Sequence, residues 1–182
     1  MYISERISGR PADERIPAEN AVYDALESLS ISFDRVDHDK ADTMEICREI
    51  EKRLGAPICK NLFLCNRQMT DFYLLLMPGD KPFKTKYLSA QVGCTRLSFA
   101  DAEHMASFLH TIPGSVSALE LMFDTERRVR LLIDRELTED TDFAGHPGIS
   151  TSTLRLSFSD MLRFVSHFGH EPTVVDLPRV FD

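Results

Sequence analysis

The chain has 182 residues, is 43% hydrophobic and 27% charged, and carries a formal net charge of −8 at pH 7. That length fits one domain around a single core, and the negative balance excludes a protein that coats nucleic acid non-specifically. No run approaches the roughly 18 apolar residues of a membrane span, and the polar opening Met1-Tyr2-Ile3-Ser4-Glu5-Arg6 is no signal peptide, so no membrane and a cytoplasmic location are expected.

Residues 1–16 are polar, contain Gly9 and Pro11 and show no period, which predicts a loose arm ahead of a domain over 17–182. Pro17 suits the first position of a helix whose apolar face is Ala21, Val22, Ala25, Leu26 and Leu29. Phe33 to His38 is a short half-buried strand. Asp42 with Glu45 suggests a capping box for a second helix bearing Ile46, Ile50 and Leu54, ended by Gly55. The apolar strand from Ile58 to Cys65 turns at Asn66-Arg67-Gln68 and returns as Phe72 to Met77, a hairpin. Pro78-Gly79-Asp80 breaks it, and a short helix spans Thr85 to Val92. A brief strand, Thr95 to Phe99, precedes a helix from Asp101 to His110. Beyond the loop Pro113-Gly114-Ser115-Val116-Ser117, strands are expected at Leu119–Phe123 and Val129–Asp134. A polar segment leads to a second loop, Gly145-His146-Pro147-Gly148. A strand at Leu154–Phe158, a helix at Asp160–Phe168 and a strand at Thr173–Leu177 complete the chain. Irregular alternation with hairpin-length joins points to a single α/β domain with a mixed, largely antiparallel, curved sheet flanked by helices.

Most chemical motifs are missing. No glycine-rich nucleotide fingerprint follows a strand, and no G-x-S-x-G elbow exists. The four cysteines, Cys47, Cys59, Cys65 and Cys94, lack C-x-x-C or metal-ligand spacing and read as reduced thiols. His167 and His170 form H-x-x-H at a helix end without a third ligand, so no metal is expected. Lys60 stands out, because an ammonium within an apolar strand either snorkels to water or serves a cleft. Local cation clusters occur at Lys81, Lys84 and Lys86, with Arg96 after them, and at Arg127-Arg128-Val129-Arg130. The two loops built of Gly, Ser and Pro leave backbone groups free to touch a ligand, and His146 adds a titratable ring.

Lys60-Asn61-Leu62-Phe63-Leu64, Pro113-Gly114-Ser115-Val116-Ser117 and His146-Pro147 followed by Ser150-Thr151-Ser152-Thr153 occur in an order that resembles the YbaK-like family of aminoacyl-tRNA editing domains. The ending Phe164 to Pro172 is similar to freestanding prolyl-tRNA deacylases of that family, and the likeness spans roughly 17–178. The resemblance implies a six-stranded barrel-like sheet and hydrolysis of a wrong amino acid, usually alanine, from the tRNA for proline. It implies that Lys60 holds the terminal phosphate or polarises the ester carbonyl. Gly114, Ser115, Val116 and Ser117 would grip the aminoacyl group, and Gly145, His146, Pro147 and Gly148 would close the pocket. His146 and Lys60 are then the catalytic candidates, and Lys81, Lys84 and Lys86 the candidate tRNA contacts. No metal, cofactor or protein nucleophile is implied. The implied partners are the acceptor end of aminoacyl-tRNA and prolyl-tRNA synthetase. Ala118, Phe123 and Ser150 depart from the family pattern, which has proline and two asparagines there. A seryl or cysteinyl ester as substrate, and a non-catalytic module that grips tRNA or a synthetase, also fit these residues.

Overall fold

A computed structural model describes residues 1–182. In chain order the elements are β1 (Ile7–Ser8), α1 (Pro17–Ser28), β2 (Asp34–Asp37), α2 (Met44–Leu54), β3 (Lys60–Asn66), β4 (Phe72–Met77) and α3 (Thr85–Val92). They continue with β5 (Leu97–Phe99), α4 (Ala102–Leu109), a 3₁₀ turn at Ala118–Phe123, β6 (Val129–Asp134) and a 3₁₀ turn at Arg135–Glu139. Last come β7 (Asp142–Gly145), β8 (Ser152–Ser157), α5 (Phe158–His167) and β9 (Thr173–Val175).

The strands form two sheets, ordered β1-β2-β8-β7 and β5-β3-β4-β6-β9. The first is antiparallel throughout, whereas the second pairs β4 with β6 and β6 with β9 in parallel. The expected α/β, largely antiparallel architecture is present, but it is divided between two open sheets and does not close into a barrel. The predicted hairpin is in register from Lys60 opposite Met77 to Cys65 opposite Phe72. Asn66 fastens its turn, with Oδ1 accepting the N–H groups of Thr70 (2.9 Å) and Asp71 (3.1 Å).

The continuous apolar run of β4 has a direct cause: every residue of the strand is buried, because both faces are covered. Phe72, Leu74 and Leu76 join the larger core with α1, α4 and α5, while Tyr73, Leu75 and Met77 pack beneath Leu88 of α3. Each such side chain contributes roughly 1.5–3 kcal/mol on burial, which anchors the strand beside it, β3. No helix is long and apolar enough to cross a membrane.

Four local expectations change. The cap of α2 is Thr43, whose Oγ1 accepts the Ile46 N–H, and not Asp42. The segment expected as a strand at Leu119–Phe123 is the 3₁₀ turn, because Ser117 and Glu120 cap it reciprocally. β7 was hidden in the polar segment. The N-terminal arm is not loose. Ile7 and Ser8 pair with Arg35 and Asp34, Ile3 bridges His38, and Ser4 Oγ accepts the Asp37 N–H at 2.9 Å. Arg15 completes the attachment through Asp37 at 3.0 Å and Glu19 at 3.2 Å. Hydrogen bonds and ion pairs hold this arm, so no hydrophobic period marks it.

Candidate active site

The two loops singled out in the sequence meet. Gly114 has φ +88° and Gly148 φ +79°, left-handed conformations that favour glycine. Ser117 Oγ donates to the His146 carbonyl at 2.7 Å and accepts the Leu119 N–H at 3.1 Å, so it caps the 3₁₀ turn and binds the opposite loop together. Thr111 Oγ1 donates to the Gly148 carbonyl at 3.2 Å. At Gly145 an added Cβ would stand 2.7 Å from Phe143 Cζ and 3.1 Å from Ser117 Cβ, so close approach of the loops requires glycine there. Ser115, Val116, Ser117, Pro147 and Gly148 are buried at this junction, while Gly114 is exposed.

The chemistry of the junction centres on His146. Its Nδ1 lies 2.7 Å from the Ser152 carbonyl, which can only accept, so Nδ1 carries the proton and Nε2 presents a bare lone pair. Burial, and then the neighbouring His38, push its pKa below the ordinary histidine value, so the ring is neutral at pH 7. His38 arrives from the end of β2. Its Nδ1 donates to the Asp39 carbonyl (2.8 Å), and its Nε2 accepts from Thr153 Oγ1 (2.8 Å), which is 3.4 Å from His146 Nδ1. Burial depresses the His38 pKa as well. Sequence reasoning treated His38 only as a strand end and passed over Thr111 and Glu120. A hydroxyl or imidazole at an element boundary gives no sign of a partner over a hundred residues away.

Lys60 opens β3 on the face shared with Leu62 and Leu64. Its Nζ donates to the Lys81 carbonyl at 2.5 Å. The turn bearing Lys81 presses on the strand's start: a Cβ on Gly79 would stand 2.5 Å from the Ile58 carbonyl oxygen. Lys60 forms no hydrogen bond or ion pair with either loop. The strand joins the loop region through its neighbour, Cys59, whose Sγ donates to the Ala144 carbonyl at 3.7 Å, next to Gly145. Burial lifts the Cys59 thiol to about 12, so it is no nucleophile at neutral pH.

Lys81 requires a correction. It was expected in an exposed cluster that touches tRNA, but it is 1% exposed, with Nζ 2.7 Å from Asp134 Oδ2 and 3.0 Å from Glu136 Oε1. A buried ammonium must be paired, and these carboxylates at the end of β6 pair it. Lys84 and Lys86 remain exposed and have no carboxylate partner; their ammonium groups lie over the rings of Phe181 (4.5 Å) and Tyr87 (4.6 Å). A cleft of about 350 Å³ adjoins the entry to β3, lined by Glu51, Asp80, Glu136, Asp140 and Asp142 with Arg179 as its one cation, a lining that does not favour phosphate. His170 is buried against Asp124, 3.3 Å from its carbonyl, and anchors the C-terminal segment.

A family model described as "Aminoacyl-tRNA editing domain" matches residues 38–164, from His38 through both loops into α5. The prolyl-tRNA editing protein ProX of Acetoanaerobium sticklandii is 29% identical over 160 residues, 88% of this chain and 98% of that one. The prolyl-tRNA synthetase associated domain-containing protein 1 of Danio rerio is 28% identical over 170 residues, 92% of each chain. Among solved structures, one proposed as a trans-editing enzyme for prolyl tRNA synthetase superposes with a TM-score of 0.68 at 18% identity, covering 90% of this chain and 98% of that one, a likeness of fold. With the family model spanning well over half of the sequence and including the two loops that meet, the chain belongs to the aminoacyl-tRNA editing domain family.

Proposed function

We propose that the chain is a trans-editing deacylase that hydrolyses a wrong amino acid from the tRNA for proline, the alanyl ester first. The name of the bacterial relative, a prolyl-tRNA editing protein, supports the tRNA, and one observation carries the chemistry: the Ser117–His146 hydrogen bond closes two glycine-bearing loops around a neutral imidazole. A synthetase pocket loses only about 1–3 kcal/mol of discrimination per missing methylene, so a second site that admits the smaller residue supplies the missing selectivity.

In this reading the backbone of Gly114 to Ser117 holds the aminoacyl group. Water, assisted by the ribose hydroxyl next to the ester, hydrogen-bonds to the lone pair of His146 Nε2, which orients it for attack, and its proton passes to the departing ribose oxygen. The new bond forms at the ester carbonyl carbon, the bond to the ribose oxygen breaks, and that oxygen leaves with a proton as the free hydroxyl. Lys60 exchanges the Lys81 carbonyl for the developing oxyanion or the terminal phosphate, a charge-assisted interaction stronger than the neutral one it gives up. Lys84 and Lys86 supply local attraction for the tRNA backbone on an otherwise acidic chain, and prolyl-tRNA synthetase is the proposed partner that delivers the mischarged product.

The test is deacylation of alanyl-, seryl-, cysteinyl- and prolyl-tRNA by the purified protein. Rapid loss of the alanyl ester with the prolyl ester spared supports the reading, and preference for the seryl or cysteinyl ester moves the substrate but keeps the reaction. Binding without hydrolysis of any ester replaces it with the non-catalytic module, which the satisfied ammonium of Lys60 would suit.

A further inference from the structure

Glu120, on the 3₁₀ turn that follows the Gly114 loop, is wholly buried. Its Oε2 accepts the Ser117 N–H at 2.5 Å, while Oε1, closed off from solvent, makes no hydrogen bond of regular geometry and has only the backbone N–H of Gly148 to face. That second oxygen faces the other loop, 3.4 Å from the point where a Cβ on Gly148 would stand, with Ala18 of α1 at 4.0 Å from the same point. One carboxyl thus fills the space between the two loops. The bond to Ser117 completes the capping box, but a cap does not need the second carboxyl oxygen enclosed against the other loop. Ser117 Oγ already caps the turn through Leu119, and an enclosed oxygen without a regular hydrogen bond is costly. Burial raises the carboxyl pKa to about 8, so the group is neutral at pH 7 and acts by shape and hydrogen bonding.

We propose that Glu120 is a positioning residue of the hydrolytic site: its carboxyl is the wedge that sets the separation of the Gly114 and His146 loops, and with it the orientation of the His146 ring. The proposal rests on the deacylase reading above. The path is short. Glu120 fixes the Ser117 amide, and the Ser117 hydroxyl fixes the His146 carbonyl. Without the wedge the Ser117 amide is released and the two loops relax toward each other, which turns the imidazole away from the ester.

The experiment compares wild type, Glu120→Ala and Glu120→Gln by thermal unfolding, by kcat and KM on alanyl-tRNA, and by the ring ¹⁵N chemical shifts of His146. Glu120→Ala should lower kcat by about 10–10²-fold, the scale of a small misplacement of a reacting group. Its KM should stay within about twofold, and the His146 signals should shift. Glu120→Gln keeps the shape and the acceptor for Ser117, and should restore both kcat and the spectrum. The proposal is overturned by a folded Glu120→Ala with wild-type kcat and an unchanged spectrum, or by a folded Glu120→Gln as impaired as Glu120→Ala. If Glu120→Ala does not fold, Glu120→Gln decides alone: wild-type kcat and spectrum sustain the wedge, and loss of either overturns it. A wild type that hydrolyses no ester defeats the deacylase reading separately. The spectra then judge Glu120 by themselves, a shift in Glu120→Ala supporting the wedge and no shift overturning it.

Discussion

The ammonium of Lys60 rests on the carbonyl oxygen of Lys81, 2.5 Å away, and the side chain of Lys81 in turn is locked between Asp134 and Glu136. One lysine is thus buried scaffolding for another. Arg179 extends the lock by pairing with Glu136 at 2.5 Å and Asp80 at 3.3 Å, so the C-terminal segment braces the same turn.

Lys81→Met should therefore be a stability variant. It leaves Asp134, 1% exposed, as an uncompensated charge, a loss of about 3–5 kcal/mol for a broken buried pair. Chemical denaturation should show the unfolding free energy falling by that amount, and Lys81→Met with Asp134→Leu should recover most of it. A Lys81→Met protein as stable as wild type contradicts the burial.

Lys84 and Lys86 should behave in the opposite way. Both are exposed, so their joint replacement by alanine should cost no more than the two cation–π contacts over Phe181 and Tyr87, about 1–2 kcal/mol together. Affinity for tRNA should weaken, and the slope of log K against log salt should shrink by about one for each phosphate that is no longer neutralised. An unchanged slope would make the pair a solvated face.

Stability should fall as pH rises from about 6.5 to about 8. The folded-state pKa of Glu120 is raised to about 8 by burial. Its contribution is therefore complete below the unfolded glutamate value and lost as pH climbs through the folded one, because the folded state holds a proton that the unfolded chain has released. His38 and His146 are depressed instead. Their effect runs the other way, with stability rising with pH until the unfolded histidine value near 6.5 and then level. Above that point Glu120 acts alone, at up to roughly 1.4 kcal/mol per pH unit for one proton. Urea unfolding across this window should show the decline in wild type and its absence in Glu120→Gln; a flat wild-type profile contradicts a neutral buried Glu120.

Much of the fold was legible where one physical cause dominates. The apolar run of β4 announces a strand covered on both faces, Pro17 marks the first turn of α1, and Gly55 ends α2 at φ +75°. What was missed depends on partners remote in the chain. The arm is held by Arg15 and Arg35 facing Asp37, and Lys81 differs from Lys84 and Lys86 only because Asp134 waits in the fold. The run Leu119–Phe123 is as apolar as a strand, but Ser117-x-x-Glu120 before and within it is a capping-box signature that could have revealed the turn. Around the candidate site the two segments were legible as loops from composition, and their reading as one site came from the family resemblance. Glu120 was not legible, because a glutamate at that spacing signals only a cap until its second oxygen is seen against Gly148.

The most direct measurement is the single-turnover rate of alanyl-tRNA deacylation by wild type and Lys60→Ala, with folding of the variant verified by its thermal unfolding. Lys60 is half-buried at the head of β3 and bonded to a carbonyl, so its removal should leave the fold intact. If the ammonium meets the oxyanion or the terminal phosphate, the rate should drop by about 10²–10³-fold. Lys60→Arg should not restore it fully, since a planar guanidinium cannot take the place of a compact ammonium. A folded Lys60→Ala that deacylates alanyl-tRNA at the wild-type rate would contradict the account.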